Sequence, residues 1–92
     1  PNSRTLKNIR LKKRVYTNQA LDALKNHQID TSDISNLLLK GDVLFSQSNT
    51  KLDSCDVYVI EGAYKGKPKE KLKISVKNCN KKATIQKITI IK

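Results

Sequence analysis

Ile34-Ser35-Asn36-Leu37-Leu38-Leu39-Lys40-Gly41-Asp42-Val43-Leu44-Phe45 carries the change of period on which the fold turns. Ile34, Leu37 and Leu38 recur at the spacing of one helix face, and Gly41 stands where a helix stops. Beyond it Val43-Leu44-Phe45 reads as strand. Segments before Gly41 read as helix, and those after it read as strand and turn. Helices followed by strands define the α+β class. The sequence therefore predicts two to three N-terminal helices packed on one face of a roughly four-stranded antiparallel sheet.

Upstream, residues 3–14 form a short basic helix in this reading, with Ser3 as cap and a thin stripe of Leu6 and Ile9. So thin a stripe implies a segment that docks weakly or stays partly mobile. Thr17 or Asn18 caps a second helix over about 18–28, with Ala20, Leu21, Leu24 and His27 on one face. Asp30, Thr31 or Ser32 caps the third, over 32–40, and places Asp30 and Asp33 at its positive end. Downstream, Ser46 to Ser54 is polar and turn-like, and Asp56 to Tyr64 is a strand. Lys65-Gly66-Lys67-Pro68 is a turn. Residues 71–77 alternate, with Leu72, Ile74 and Val76 on one face and Lys71, Lys73, Ser75 and Lys77 on the other. After a turn at 78–82, Ala83 to Ile91 carries apolar residues on both parities, as suits a strand inside the sheet.

The 92 residues make one domain, 1–92, whose single Phe and lack of Trp and Met dictate an aliphatic core. No run approaches the roughly 18 apolar residues of a membrane span, so no membrane partner is expected. The polar, basic start lacks the pattern of a secretory signal. Pro1 in first place reads as processing or as a piece of something longer. Cys55 and Cys79 lack the spacing of a structural zinc site. The expectation is two small, reduced thiols on strands in a cytoplasmic protein, with pairing reserved for an oxidising compartment.

Charge is segregated along the chain. Residues 1–20 sum to +6, residues 21–60 to −3 and residues 61–92 to +8, within a net charge of +11. Two cationic ends flanking an acidic middle attract polyanions, which points to nucleic acid. Lysines about 7 Å apart on the 71–77 strand match the spacing of phosphates along a backbone. Lys65, Lys67, Lys69, Lys77, Lys81, Lys82, Lys87, Arg10, Arg14 and Tyr16 extend that nucleic-acid-binding set. The bland alternative is a solvated sheet face kept from aggregating by its lysines. Tyr16, Tyr58 and Tyr64 are the aromatics able to stack on a base, or else core residues.

Catalytic options are narrow. His27 is the only histidine, suited to proton transfer or to a half-buried capping role. The scattered acids, Asp53 and Asp56 among them, give no carboxylate cluster for a two-metal nuclease. Phosphate loops, dinucleotide fingerprints and serine-nucleophile motifs are absent, so no metal and no cofactor is expected. A nuclease built from this chain would let the RNA 2′-hydroxyl attack. Lysines would stabilise the phosphorane, and a Tyr, His or Lys would move protons.

Val15-Tyr16-Thr17 ahead of the helix 18–27, Ile29-Asp30, Leu39-Lys40-Gly41-Asp42-Val43, Asp56-Val57-Tyr58, Leu72-Lys73-Ile74-Ser75-Val76 and Ile90-Ile91-Lys92 together resemble small bacterial toxins of the RelE-like superfamily. The likeness is nearest the MqsR and BrnT branches and spans most of the chain. It implies a basic α+β endoribonuclease, acting on or off the ribosome on mRNA or tRNA and neutralised by an acidic antitoxin or immunity protein. The family's terminal-strand lysine falls on Lys92. Lys71 stands where the MqsR branch carries a catalytic tyrosine, and Cys55 where it carries a glutamine. Thr17-Asn18-Gln19-Ala20 stands where a related branch has a histidine in third place.

The expected catalytic set is Lys71, Lys73, Lys92, Tyr64 and His27, acting on RNA in the cytoplasm, or in a target-cell cytoplasm after delivery by a larger effector. Two alternatives belong to other classes. One is a basic nucleic-acid-binding module without catalysis. The other is an interaction domain whose basic face docks an acidic partner protein.

Overall fold

The computed structural model describes all 92 residues. Its order is α1 (Asn2–Arg10), β1 (Lys13–Tyr16), α2 (Asn18–Asn26), α3 (Thr31–Lys40), β2 (Asp42–Val43), a 3-10 turn (Phe45–Gln47), β3 (Asp56–Ala63), β4 (Lys71–Asn78) and β5 (Lys82–Ile91). The five strands form one mixed sheet in the order β1-β5-β4-β3-β2, antiparallel except for the parallel pair β1–β5. The α+β layout agrees with the sequence reading.

Every buried strand residue faces the helices. Ile60, Leu72, Ile74, Val76, Ala83, Ile85 and Ile88 pack with Leu6, Ile9, Ala20, Ile34, Leu37 and Leu38 in a single core. Burying aliphatic side chains of this size stabilises by about 1.5–3 kcal/mol each before entropy is charged, so this one layer holds the fold together. The opposite face of the sheet has no buried residue and no helix over it.

Several expectations are corrected. The first helix ends at Arg10 and Leu11 caps it, while residues 13–16 form a fifth strand. The β-branched and aromatic pair Val15-Tyr16 suits that strand, and its register beside Lys82–Ile85 fixes it. Nor is α1 loosely docked. Leu6 and Ile9 are fully buried, and Asn2 donates to the Gly41 carbonyl and accepts from the Val43 N–H. The strand expected at Val43–Phe45 is only Asp42–Val43, because the chain turns into the 3-10 segment.

The two parities of the last strand have a different cause from the one expected. Ser75 pairs with Lys87 and Val76 with Ile85, so Gln86 is the extra residue of a β-bulge. The bulge shifts the inward positions from Ala83 and Ile85 to Ile88 and Ile90. β5 does lie inside the sheet, but only one of its faces is buried.

Gly41 does not close α3 in the left-handed conformation, since its φ is −75°. It is needed for close packing instead. A Cβ there would sit 2.5 Å from the Leu37 carbonyl oxygen and 2.9 Å from an Ile60 methyl.

Cys55 and Cys79 are joined as a disulfide, which corrects the expectation of free thiols. Cys55 immediately precedes β3 and Cys79 immediately follows β4, so the register pair Asp56–Asn78 brings them side by side with Cα atoms 4.4 Å apart.

Candidate nucleic-acid interface and reaction corner

Strand alternation and register place the functional side chains. Lys71, Lys73, Ser75 and Lys77 of β4 lie on the open face, as expected. Across the ladder they meet Ile91, Thr89, Lys87 and Thr84 of β5 in that order. Lys82 and, from β1, Lys13 and Val15 continue the same face. Val57, Val59 and Glu61 of β3 complete it on the other side. Lys13, Lys71, Lys73, Lys77, Lys82 and Lys87 thus stand against only Glu61 and, on the edge strand, Asp42. Lys13 was not singled out from the sequence, because its segment reads as helix there.

At the end of this face lies a cavity of about 330 Å³ lined by Glu61, Pro68, Lys69, Lys71, Ile91 and Lys92. The Lys71 Nζ is 4.0 Å from Glu61 Oε2, and Lys73 is the cross-strand partner of Glu61. Lys71 therefore reaches the Glu61 carboxylate, with Lys73 beside Glu61 on the neighbouring strand and Lys92 in the lining of the same cavity. Glu61 is the functional candidate that sequence reasoning misses. It sits alone in an apolar strand, and only the register brings the lysines to it. A shallow hollow of about 120 Å³ continues from this corner along Val59, Lys73, Ser75, Lys87 and Thr89.

His27 and Tyr64 sit elsewhere. With Lys67, Glu70, Ile88, Thr89, Ile90 and Lys92 they line a cavity of about 490 Å³. Lys92 is the one residue common to it and to the Glu61 corner. His27 is the C-cap of α2 and is exposed, because Ala20, Ala23 and Leu24 turn inward in place of the face containing Leu21 and His27. Tyr64 is 2% exposed and belongs to the core, so it offers no stacking surface.

Other expected contact residues are engaged on the helix side. Tyr16 faces inward beside Ile85, and its hydroxyl is buried without a hydrogen-bond partner. Arg10 donates to the Leu38 carbonyl at 3.2 Å, and Arg14 to the Ser35 hydroxyl at 2.7 Å. Tyr58 shares the buried face with Val76 and lies edge-on to Phe45. Burial pushes its phenol up, and the charge of Asp56 and the hydrogen bond to it act the same way. Lys69 and Lys81 are exposed.

Lys65 is committed to α3. Its ammonium lies 2.8 Å from Asp33 and 2.9 Å from Asp30. Hydrogen bonds to Asp33 and then Asp30 raise its pKa against the opposing effect of burial. Burial opposes ionisation of Asp33, but the Lys65 ammonium and the Asp30 N–H bonded to that carboxylate prevail and hold it below the usual range. Lys67 sits over the Tyr64 ring at 5.1 Å and 3.7 Å from Glu70.

No three His, Cys, Asp or Glu side chains group to hold a metal ion. No helix is long and apolar enough to cross a membrane. No family model, curated protein or solved structure matches the chain.

Proposed function

We propose that this chain is a toxin-type endoribonuclease that needs no metal and lays RNA across its open lysine face. The observation that carries this reading is the pairing of Lys71 with Glu61 at the end of that face, with Lys73 on the adjacent strand position and Lys92 in the same cavity. Glu61 takes the proton of the 2′-hydroxyl, and the 2′-oxygen attacks phosphorus. The lysines stabilise the charge of the phosphorane. Lys92 gives a proton to the departing 5′-oxygen, leaving a 2′,3′-cyclic phosphate and a 5′-hydroxyl. The resemblance to RelE-like toxins supports the same reading and suggests an acidic antitoxin or immunity protein covering the lysine face. The Cys55–Cys79 disulfide favours a chain that passes through an oxidising compartment before it reaches RNA in a target-cell cytoplasm.

One observation favours a second reading, RNA binding without cleavage: His27 and Tyr64 do not reach the open face, so Glu61 is the sole non-lysine acid–base group there beside Asp42. Labelled total RNA incubated with the protein in EDTA, with and without ribosomes, separates the two. Cleavage leaving cyclic phosphate ends, lost in Glu61→Gln and in the Lys71/Lys73/Lys92 triple alanine variant, is the expected result. RNA that is retarded on a native gel yet intact in every arm selects binding alone.

A further inference from the structure

The 490 Å³ cavity is the largest in the fold, and its size lies in the range of small-molecule sites. It opens at the end of β5 on the helix-covered side, where α2 has already finished at His27. Its wall is apolar. Ile88 and Ile90 pair across the ladder with Ile74 and Leu72 on the buried face, and the buried Tyr64 packs behind them. Its rim is cationic. Lys67 is held by Glu70 and the Tyr64 ring, but no ion pair or side-chain hydrogen bond engages His27 or Lys92. An apolar wall facing the unengaged Lys92 ammonium and the His27 imidazole suits a ligand with a flat, weakly polar part and an anionic part.

We propose that this cavity binds a single nucleotide unit, with its base against Ile88 and Ile90 and its phosphate toward His27 and Lys92. The choice of ligand rests on the RNA reading above, and the place of the site rests on the cavity alone. Lys92 also belongs to the Glu61 corner. A nucleotide next to the cleaved phosphate therefore enters this cavity when the strand rounds the end of the sheet, and the cavity acts as a sequence-selecting subsite.

The test is a titration of isotope-labelled protein with uridine and adenosine 5′-monophosphates and, separately, inorganic phosphate, read by amide chemical shifts. Saturable shifts at His27, Tyr64 and residues 88–92, at lower concentration for a mononucleotide than for phosphate, are expected. His27→Ala and Lys92→Ala, both at exposed positions, should weaken binding about tenfold. Absence of shifts at the cavity, shifts confined to the open lysine face, or an equal response to phosphate would overturn the proposal. Glu61→Gln belongs to the reaction corner alone, so mononucleotide binding survives in it even though cleavage is lost. A protein that binds mononucleotides here yet never cleaves RNA refutes the enzymatic reading and leaves the subsite standing.

Discussion

The Thr17 hydroxyl joins the start of α2 to the bulge in β5. It accepts the Ala20 N–H at 3.1 Å and donates to the Gln86 carbonyl at 2.8 Å. One side chain thus satisfies a free donor of the helix and an acceptor that the bulge removes from the ladder. Thr17→Val keeps the shape and loses both bonds. It should destabilise by about 1–2 kcal/mol in urea unfolding, while Thr17→Ser should recover most of the loss. Equal stability of all three proteins would show that the contact is incidental.

Lys65, in a left-handed turn position at φ 51°, ties the β3–β4 connection to the start of α3. Asp33 is its principal partner, with a side chain 16% exposed against 70% for Asp30. The folded-state pKa of Asp33 lies below its unfolded value near 3.8. Its contribution is therefore fully present above that unfolded value and is lost as pH falls through the folded one. Lys65→Ala should move the Asp33 carboxyl signal toward the ordinary pKa in an NMR titration. It should also lessen the loss of stability below pH 4. An unmoved Asp33 titration would mean that the Asp30 N–H alone sets it.

How much of this was legible in the sequence follows from where each signal lives. Ile34, Leu37 and Leu38 and the alternation of Leu72, Ile74 and Val76 are local patterns, and they specified α3 and β4 almost to the residue. β1 escaped because four residues carry too short a period, and basic neighbours extend the helical pattern of α1 through them. A bulge leaves no local mark, so in β5 it imitated a strand buried on both faces. The disulfide and the role of Glu61 depend on register across β3 and β4, which no local window contains. The lysine face was legible because a period of two fixes it without any partner. The separation of His27 and Tyr64 from Lys71 and Lys73 was not.

The disulfide closes a sequence separation of 24 residues that includes β3, the Lys65 turn and β4. A chain-entropy estimate for a loop of that length gives about 3 kcal/mol. Reduction, or Cys55→Ser with Cys79→Ser, should lower unfolding stability by that order. Because the cystine sits at the end of the sheet away from Lys71 and Glu61, RNA affinity of the folded protein should be unchanged. A loss of affinity larger than the loss of folded population would show that the cystine also shapes the interface.

The open face makes a prediction that separates a binding surface from a merely cationic protein. If Lys73, Lys77 and Lys87 each contact a phosphate of single-stranded RNA, each neutralisation removes about 0.7 from the slope of log affinity against log salt. The triple glutamine variant should therefore lose about 2 from the slope. Lys12 and Lys65 serve as controls. Lys12 is spent on Asn8, Asn78 and the Cys79 carbonyl, and Lys65 on Asp30 and Asp33. Their double glutamine variant should leave the slope nearly unchanged although it also lowers net charge. Comparable slope losses per charge removed in the two variants would mean that RNA senses the net charge of the molecule and not this face.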